Sequence, residues 1–262
     1  MPKLTEKLLR QIRKANKRFD LIEEGDHILV AVSGGKDSWG MLSLLDAYRK
    51  SAPFNFSLVA VTLDQGQPGF DGSRMERYYN DHNYAYRIEY RDTYSVVLEK
   101  TPEGKAYCAL CSRMRRGILY RIANELGASK IALGHHREDF IETLLLNQFY
   151  SGRIRSMAPR LVEADGGASI IRPLVLAAET DLIQYAELKA FPIIPCNLCG
   201  SQDNLKRKEV RALIGQLEKV NPRIRGNLLA SLSNIDQTHL LSPNSVNGDQ
   251  APKALESLIQ LN

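Results

Sequence analysis

Short apolar runs alternate along this chain with longer stretches whose apolar positions recur every three or four residues. His27 to Val32 is apolar from Ile28 onward, the pattern of a parallel strand buried on both faces. Trp39 to Arg49 follows, with Met41, Leu42, Leu44 and Leu45 at helical spacing. The same alternation predicts strands at Phe56 to Leu63, Ala85 to Glu89, Lys130 to Gly134 and Ser169 to Leu174, where Pro173 ends the pairing. Helices are expected at Ser73 to His82, after Cys111 through Leu126, at Phe140 to Phe149 and at Thr180 to Lys189. Tyr90 to Tyr107 reads as a polar connector.

This order predicts an α/β fold with a doubly wound, mostly parallel sheet and right-handed crossovers. Its ligand site is expected at the carboxyl ends of the strands. Helical extensions flank the sheet. Lys3 to Asp20 reads as a basic amphipathic helix with Leu4, Leu8, Leu9, Ile12 and Phe19 on its apolar stripe. It either docks on the core or touches RNA phosphates. From Leu205 the chain is helical and basic, with a second helix over Pro222 to Ile235. After His239 the composition turns to Ser, Pro, Asn and Gly, which predicts a flexible tail ending in a short helix, Ala254 to Leu261.

Composition narrows the class without choosing a function. The chain has 262 residues, 44% hydrophobic and 25% charged, as a soluble globular protein does. No apolar run approaches a membrane span. Met1 to Asp20 carries seven Lys or Arg and no apolar core of a secretory signal. A cytoplasmic protein with no membrane partner is expected. The net charge of +5 suits a nucleic-acid partner without requiring one.

The chemistry gathers first in Ser33-Gly34-Gly35-Lys36-Asp37-Ser38, between the first strand and its helix. Glycines let the backbone approach a ligand. The helix N-terminus attracts a phosphate, Ser33 and Ser38 can donate hydrogen bonds, and Lys36 balances charge. An adenine would rest near Val32 and Leu63. Gly134 and His135 end the fourth strand beside this loop, and His136 can line the pocket or be hydrogen-bonded structure. Asp37 and Asp139 are candidate magnesium-positioning groups, and Asp139 also suits a helix N-cap. The string resembles the PP-loop of the ATP pyrophosphatases, whose fold is adenine nucleotide α-hydrolase-like. That resemblance implies cleavage of ATP between its α and β phosphates. It divides the chain into an N-terminal basic helix at 1–24, a PP-loop domain at 25–200, basic helices at 201–240 and a tail at 241–262.

All four cysteines lie in two Cys-x-x-Cys pairs, Cys108/Cys111 and Cys196/Cys199. The pattern suits a tetrahedral zinc site, an iron–sulfur cluster or a redox dithiol. Arginines crowd the first pair, and Arg115, Arg116, Arg153, Arg155, Lys206 and Arg207 are candidate phosphate contacts to RNA.

Four segments together resemble the tRNA 2-thiocytidine synthetase (TtcA) family: Ser33 to Ser38, Cys108 to Tyr120, Leu133-Gly-His-His-Arg-Glu-Asp139, and Phe191-Pro-Ile-Ile-Pro-Cys-Asn-Leu-Cys-Gly-Ser-Gln202. The resemblance implies adenylation of the C2 oxygen of an anticodon-loop cytidine, using ATP and magnesium. Sulfur then displaces AMP to give 2-thiocytidine. It implies Lys36, Asp37 and Asp139 as catalytic groups. It also implies a [4Fe-4S] cluster on Cys108, Cys111 and a third cysteine, Cys199 in preference to Cys196. The partners implied are tRNA and a sulfide or persulfide donor such as a cysteine desulfurase. Basic helices at both ends can build a homodimer around RNA. Two other readings keep part of the pattern: a PP-loop tRNA ligase of lysidine type, whose amine attack needs no cluster, and a zinc-stabilised RNA-binding module.

Overall fold

The structure is a computed structural model and describes residues 2–101, 108–163, 166–194 and 202–241. In chain order its elements are α1 (Pro2–Phe19), β1 (His27–Ala31), α2 (Lys36–Arg49), β2 (Ser57–Asp64), α3 (Gly72–Asp81) and β3 (Tyr86–Tyr90). Then come α4 (Thr93–Lys100), α5 (Cys108–Glu125), β4 (Lys130–Ala132), α6 (Arg137–Ser151), β5 (Arg160–Leu161) and β6 (Ser169–Ile171). The chain continues with α7 (Glu179–Lys189), α8 (Gln202–Val220) and α9 (Ile224–Ser231).

The sheet runs β3-β2-β1-β4-β6-β5. Every pairing is parallel except β5 with β6. The order reverses between β1 and β4, so a crevice opens at their carboxyl ends. Alternation along β1 divides its side chains between two cores. Ile28 and Val30 join a cluster with α1, α2, α3 and α7 side chains. Leu29 joins Val59, Ile131 and Ile170 under Leu119, Ile122 and Ala123 of α5. A strand apolar on both faces is stable only when helices cover both, which is why the unbroken run encoded a parallel strand.

The N-terminal helix is part of this core. Leu8, Leu9, Ile12 and Ala15 are buried, and Lys7 Nζ reaches Asp181 Oδ1 at 2.8 Å. Lys3, Arg10, Lys14, Lys17 and Arg18 are exposed. Trp39 is fully buried among Tyr78, Tyr79 and Phe191, with ring centroids 4.9, 5.1 and 6.3 Å away. At the far end, Ile141 and Leu145 of α6 pack on Val210 and Ile214 of α8.

Three sequence expectations need correction. The connector after Tyr90 contains helix α4, whose start is fixed by Asp92 accepting from Ser95 N–H at 3.0 Å. Cap chemistry, not apolar periodicity, marks that helix. The segment before β6 holds the two-residue strand β5, too short to leave a pattern. The last helix spans Ile224–Ser231 rather than Pro222 to Ile235. The tail and the helix expected at Ala254 to Leu261 lie outside the described residues.

Replacing Leu8 with Ala tests whether α1 belongs to the domain. The expected cost is about 2–5 kcal/mol, read as a lower denaturant midpoint in one cooperative transition. An unchanged midpoint would mean that α1 is an appendage.

Candidate functional site

β1 ends at Ala31, and the next residues turn before α2 begins. Gly34 sits at φ +87°, a conformation that other L residues rarely adopt, and a Cβ there would come within 3.1 Å of Ile194 Cβ. Its carbonyl accepts from Ile194 N–H at 3.0 Å. Ser38 closes the turn: its Oγ accepts from Ser33 N–H at 3.2 Å, donates to Gly35 O at 2.9 Å and lies 3.3 Å from Ser33 Oγ. The N-cap of α2 is Gly35, and no side chain caps it. Its first-turn N–H groups and dipole end are therefore left for an anion.

Gly134 fixes the other wall. A Cβ there would lie 3.1 Å from Ser38 N and 3.2 Å from the Asp37 carbonyl carbon. The end of β4 thus rests directly on the first turn of α2. Leu63 lies part-buried at the end of β2. Val32 is 1% exposed and sits in the larger core, with its N–H on Val61 O at 2.9 Å.

A charge network fills the space beside the turn. Lys36 Nζ lies 2.9 Å from Asp37 Oδ2 and 3.2 Å from Glu179 Oε1. Burial alone would lower the Lys36 pKa, but these carboxylates raise it. His136 is 3% exposed. Its Nδ1 is 3.4 Å from Glu138 Oε2, and its Nε2 is 3.5, 3.8 and 3.9 Å from Asp139, Glu179 and Asp37. Burial opposes its charge, yet the four carboxylates raise its pKa. Glu138 is pulled down to about 2, because His136 and Arg137 outweigh burial. His136, rather than Asp139, is the N-cap of α6. Asp139 reaches back to accept from His136 N–H at 2.9 Å.

Helix α8 holds this network from outside. Arg207 lies 3.2 Å from Asp139 and 3.4 Å from Glu142, and Arg211 lies 2.8 Å from Glu142. The Arg207 expected to meet RNA is therefore already paired with acids. Sequence reading missed Glu138, Glu142, Glu179 and Arg211. The available signal was Glu142, an acid inside the apolar run of α6, because a buried charge requires a partner.

Asp37 Oδ1 is buried and has no hydrogen-bond partner. An orphaned carboxylate oxygen on a residue of the phosphate turn fits magnesium, which binds through one or two carboxylates together with substrate phosphates. Among the described residues, no three His, Cys, Asp or Glu side chains form a preformed metal cage.

Cys108 opens α5 and Cys111 lies one turn later. Cys111 Sγ contacts Gln65 Oε1 at 3.3 Å. Gln65 belongs to the loop after β2 and also accepts from Thr93 Oγ1 at 3.3 Å. Cys111 is thus held at the carboxyl edge of the sheet, as the phosphate turn is. Two cysteines one helical turn apart have the spacing that suits a metal or cluster. Cys196 and Cys199 lie outside the described residues. Arg115, Arg116, Arg153 and Arg155 are exposed. Lys206 Nζ sits 4.5 Å above the Tyr150 ring. His135 is part-buried, and burial pushes its pKa down to about 4.

The parallel sheet, the turn at its switch point and the uncapped helix behind it define a PP-loop protein, and the family model for the PP-loop domain matches residues 4–217. The chain is 53% identical over 239 residues to the tRNA-cytidine(32) 2-sulfurtransferase of Bordetella avium, covering 91% of this chain and 76% of the relative. It is 52% identical to the protein of that name from Tolumonas auensis, covering 91% and 79%. The chain belongs to the tRNA-cytidine(32) 2-sulfurtransferase family. The U34-tRNA thiolase NcsA from Methanococcus maripaludis, solved with its [4Fe-4S] cluster, shares the fold. Its TM-score is 0.73 at 23% identity, covering 88% of this chain and 78% of that one.

Two outcomes follow from this geometry. Gly134→Ala should displace the first turn of α2, costing about 1–3 kcal/mol and weakening nucleotide binding, measured by calorimetric titration with ATP. Stability should also fall on both sides of a middle pH window. The Glu138 contribution is complete above its ordinary 4.5 and is lost as pH falls toward about 2. The His136 contribution is complete below its ordinary 6.5 and is lost as pH rises through its raised folded value. Urea midpoints at about pH 3, 5.5 and 8 read this, and Glu138→Gln should flatten the acid arm.

Proposed function

We propose that this chain uses ATP to replace the C2 oxygen of an anticodon-loop cytidine in tRNA with sulfur, giving 2-thiocytidine, AMP and pyrophosphate. The observation that carries this reading is that Cys111, held by Gln65, stands at the same sheet edge as the phosphate turn of Gly34 and Lys36. A nucleotide site alone would serve any adenylating enzyme. A thiol held at the same edge suits one that also handles sulfur.

In this reading the first-turn N–H groups of α2, with Ser33, Gly34, Gly35 and Ser38, hold the ATP phosphates. Val32, Leu63 and Gly134 border the nucleotide, whereas His135 is turned to Arg172. Lys36 offsets charge as pyrophosphate leaves. Its amine is protonated at neutral pH, because Asp37 and Glu179 favour the cation. Asp37, through its orphaned Oδ1, and Asp139 hold magnesium. The C2 oxygen of cytidine attacks the α phosphate, and the bond to pyrophosphate breaks. Sulfur then attacks C2, and AMP leaves with the oxygen. C2 oxygen is a poor leaving group, whereas AMP is a good one. Cys108, Cys111 and Cys199 hold a [4Fe-4S] cluster. When bound, the cluster would supply the site with iron–sulfur chemistry suited to handling the incoming sulfur. A sulfide donor provides that sulfur directly; from a persulfide donor, the outer sulfur attacks C2 and a thiol then cleaves the S–S bond, supplying the two electrons and leaving a disulfide. Arg115, Arg116, Arg153, Arg155 and Lys206 supply sequence-independent contacts to tRNA phosphates, while Arg207 would first have to leave its acid partners.

The test is mass spectrometry of nucleosides from tRNA incubated anaerobically with iron-reconstituted protein, ATP, magnesium and sulfide. A 2-thiocytidine peak that needs both ATP and iron is expected. No thionucleoside from protein with verified cluster and ATP binding would overturn the reading. Lys36→Ala should lower the rate by about 100-fold or more with the visible iron–sulfur absorbance intact. Cys111→Ala should lose that absorbance while ATP binding survives.

A further inference from the structure

Arg172 directly follows β6 and is only 8% exposed. Buried charges are normally paired. Lys130, also buried, has both Glu23 and Asp26 within 3.3 Å. Arg172 has no carboxylate partner among the described residues. Its Nε donates to His135 Nδ1 at 3.2 Å, and its Nη1 donates to the Ala158 carbonyl at 2.5 Å. Both acceptors are neutral, and they use two of the five guanidinium N–H groups.

Arg116 adds positive charge beside Arg172, and the Tyr120 hydroxyl, bonded to Glu163, partly offsets it. Burial and then the nearby Arg116 lower the Arg172 pKa. Burial keeps His135 neutral; Asp139 opposes this, and Arg172 and Arg115 reinforce it. Because His135 accepts at Nδ1, its proton is on Nε2, and the ring offers a further N–H donor. A buried guanidinium without a carboxylate partner among the described residues, a second guanidinium and a neutral imidazole donor are the chemistry of a phosphate site.

Two arginine-bearing segments meet at Arg172. One is the start of α5, with Arg113, Arg115 and Arg116 exposed. The other is the segment carrying Arg153 and Arg155, whose Ala158 and Pro159 carbonyls accept from the Arg172 side chain and backbone. That segment is pinned by Asn147 on the Arg155 carbonyl at 3.0 Å and by Ser156 on the Phe140 carbonyl at 2.6 Å.

We propose that Arg172, His135 and Arg116 form a notch that takes a backbone phosphodiester of the RNA substrate. This rests on the tRNA-thiolating reading. An RNA phosphate is favoured over a nucleotide phosphate on position. The nucleotide has its own cradle after β1, and Arg172 follows β6, two strands away in the sheet, a lateral distance of roughly 10 Å.

The experiment measures tRNA binding across a salt series for wild type, Arg172→Met, Arg172→Lys and Arg116→Ala, with ATP affinity and melting temperature recorded for each. Arg172→Met should weaken tRNA binding about tenfold and reduce the slope of log K against log salt by about 0.7–0.9, with ATP affinity unchanged. Arg172→Lys should keep the slope and lose about threefold in affinity, because lysine keeps the charge without the planar fork. Arg116→Ala should lose slope as Arg172→Met does. A folded Arg172→Met with wild-type tRNA affinity and slope overturns the proposal. So does a loss confined to ATP affinity, which would assign the notch to the nucleotide. If Arg172→Met does not fold, Arg172→Lys decides, and wild-type tRNA affinity in that variant overturns the proposal. Wild-type protein that binds no tRNA overturns both this proposal and the thiolation reading. Failure of the variants alone overturns only the notch.

Discussion

The backbone of Gly134 lies against the backbone of Asp37 and Ser38, with no room between them for even a methyl group. This contact seats the end of β4 on the first turn of α2 and so sets the depth of the crevice at the switch in strand order. On the opposite side, Gly34 takes a left-handed conformation and bonds Ile194. The phosphate turn is therefore clamped from two directions by backbone, while Ser33 and Ser38 hold it closed from within. Side chains alone would leave such a turn free to flex. Backbone on backbone fixes where the α2 N–H groups point, and a site that works by electrostatics depends on donors already in place.

Around that clamp the two adjacent histidines have opposite surroundings. His136 faces Asp37, Glu138, Asp139 and Glu179, and its protonated form is favoured. His135 meets Arg172 and is neutral near pH 7. Neighbouring residues diverge here because one begins α6 and turns toward α7, while the other ends the β4 loop beside β6. The acidic network neighbours the phosphate turn and Lys36. Arg172, without a carboxylate partner among the described residues, neighbours the outer strands. The crevice is thus polarised, with cation-binding chemistry near the triphosphate site and anion-binding chemistry away from it.

Much of the fold was legible because burial on both faces leaves a continuous apolar signature. The runs at Ile28, Val59 and Ile131 are strands, and the order of strands and helices predicted the parallel sheet. The helix α4 was not legible, since a short helix set by an Asp92 cap inside a polar stretch carries little periodicity. The phosphate turn was legible from Gly34, Gly35, Lys36 and Ser38, because a turn of that kind is a local object. The partners of the turn were not. Nothing near Lys36 in the sequence announces Glu179, which lies 143 residues away.

The sequence by itself determined the apolar period of each main element, the phosphate turn and the pairing of the cysteines into two short motifs. Each of these is written within a few neighbouring residues, where propensity and spacing act directly. Tertiary structure decided which charges cancel. It placed Arg207 and Arg211 on Glu142, brought Cys111 to Gln65 and left Arg172 buried with no carboxylate partner among the described residues. Coulombic pairing and desolvation depend on distance in space, and the folded sheet, not the spacing along the chain, sets those distances.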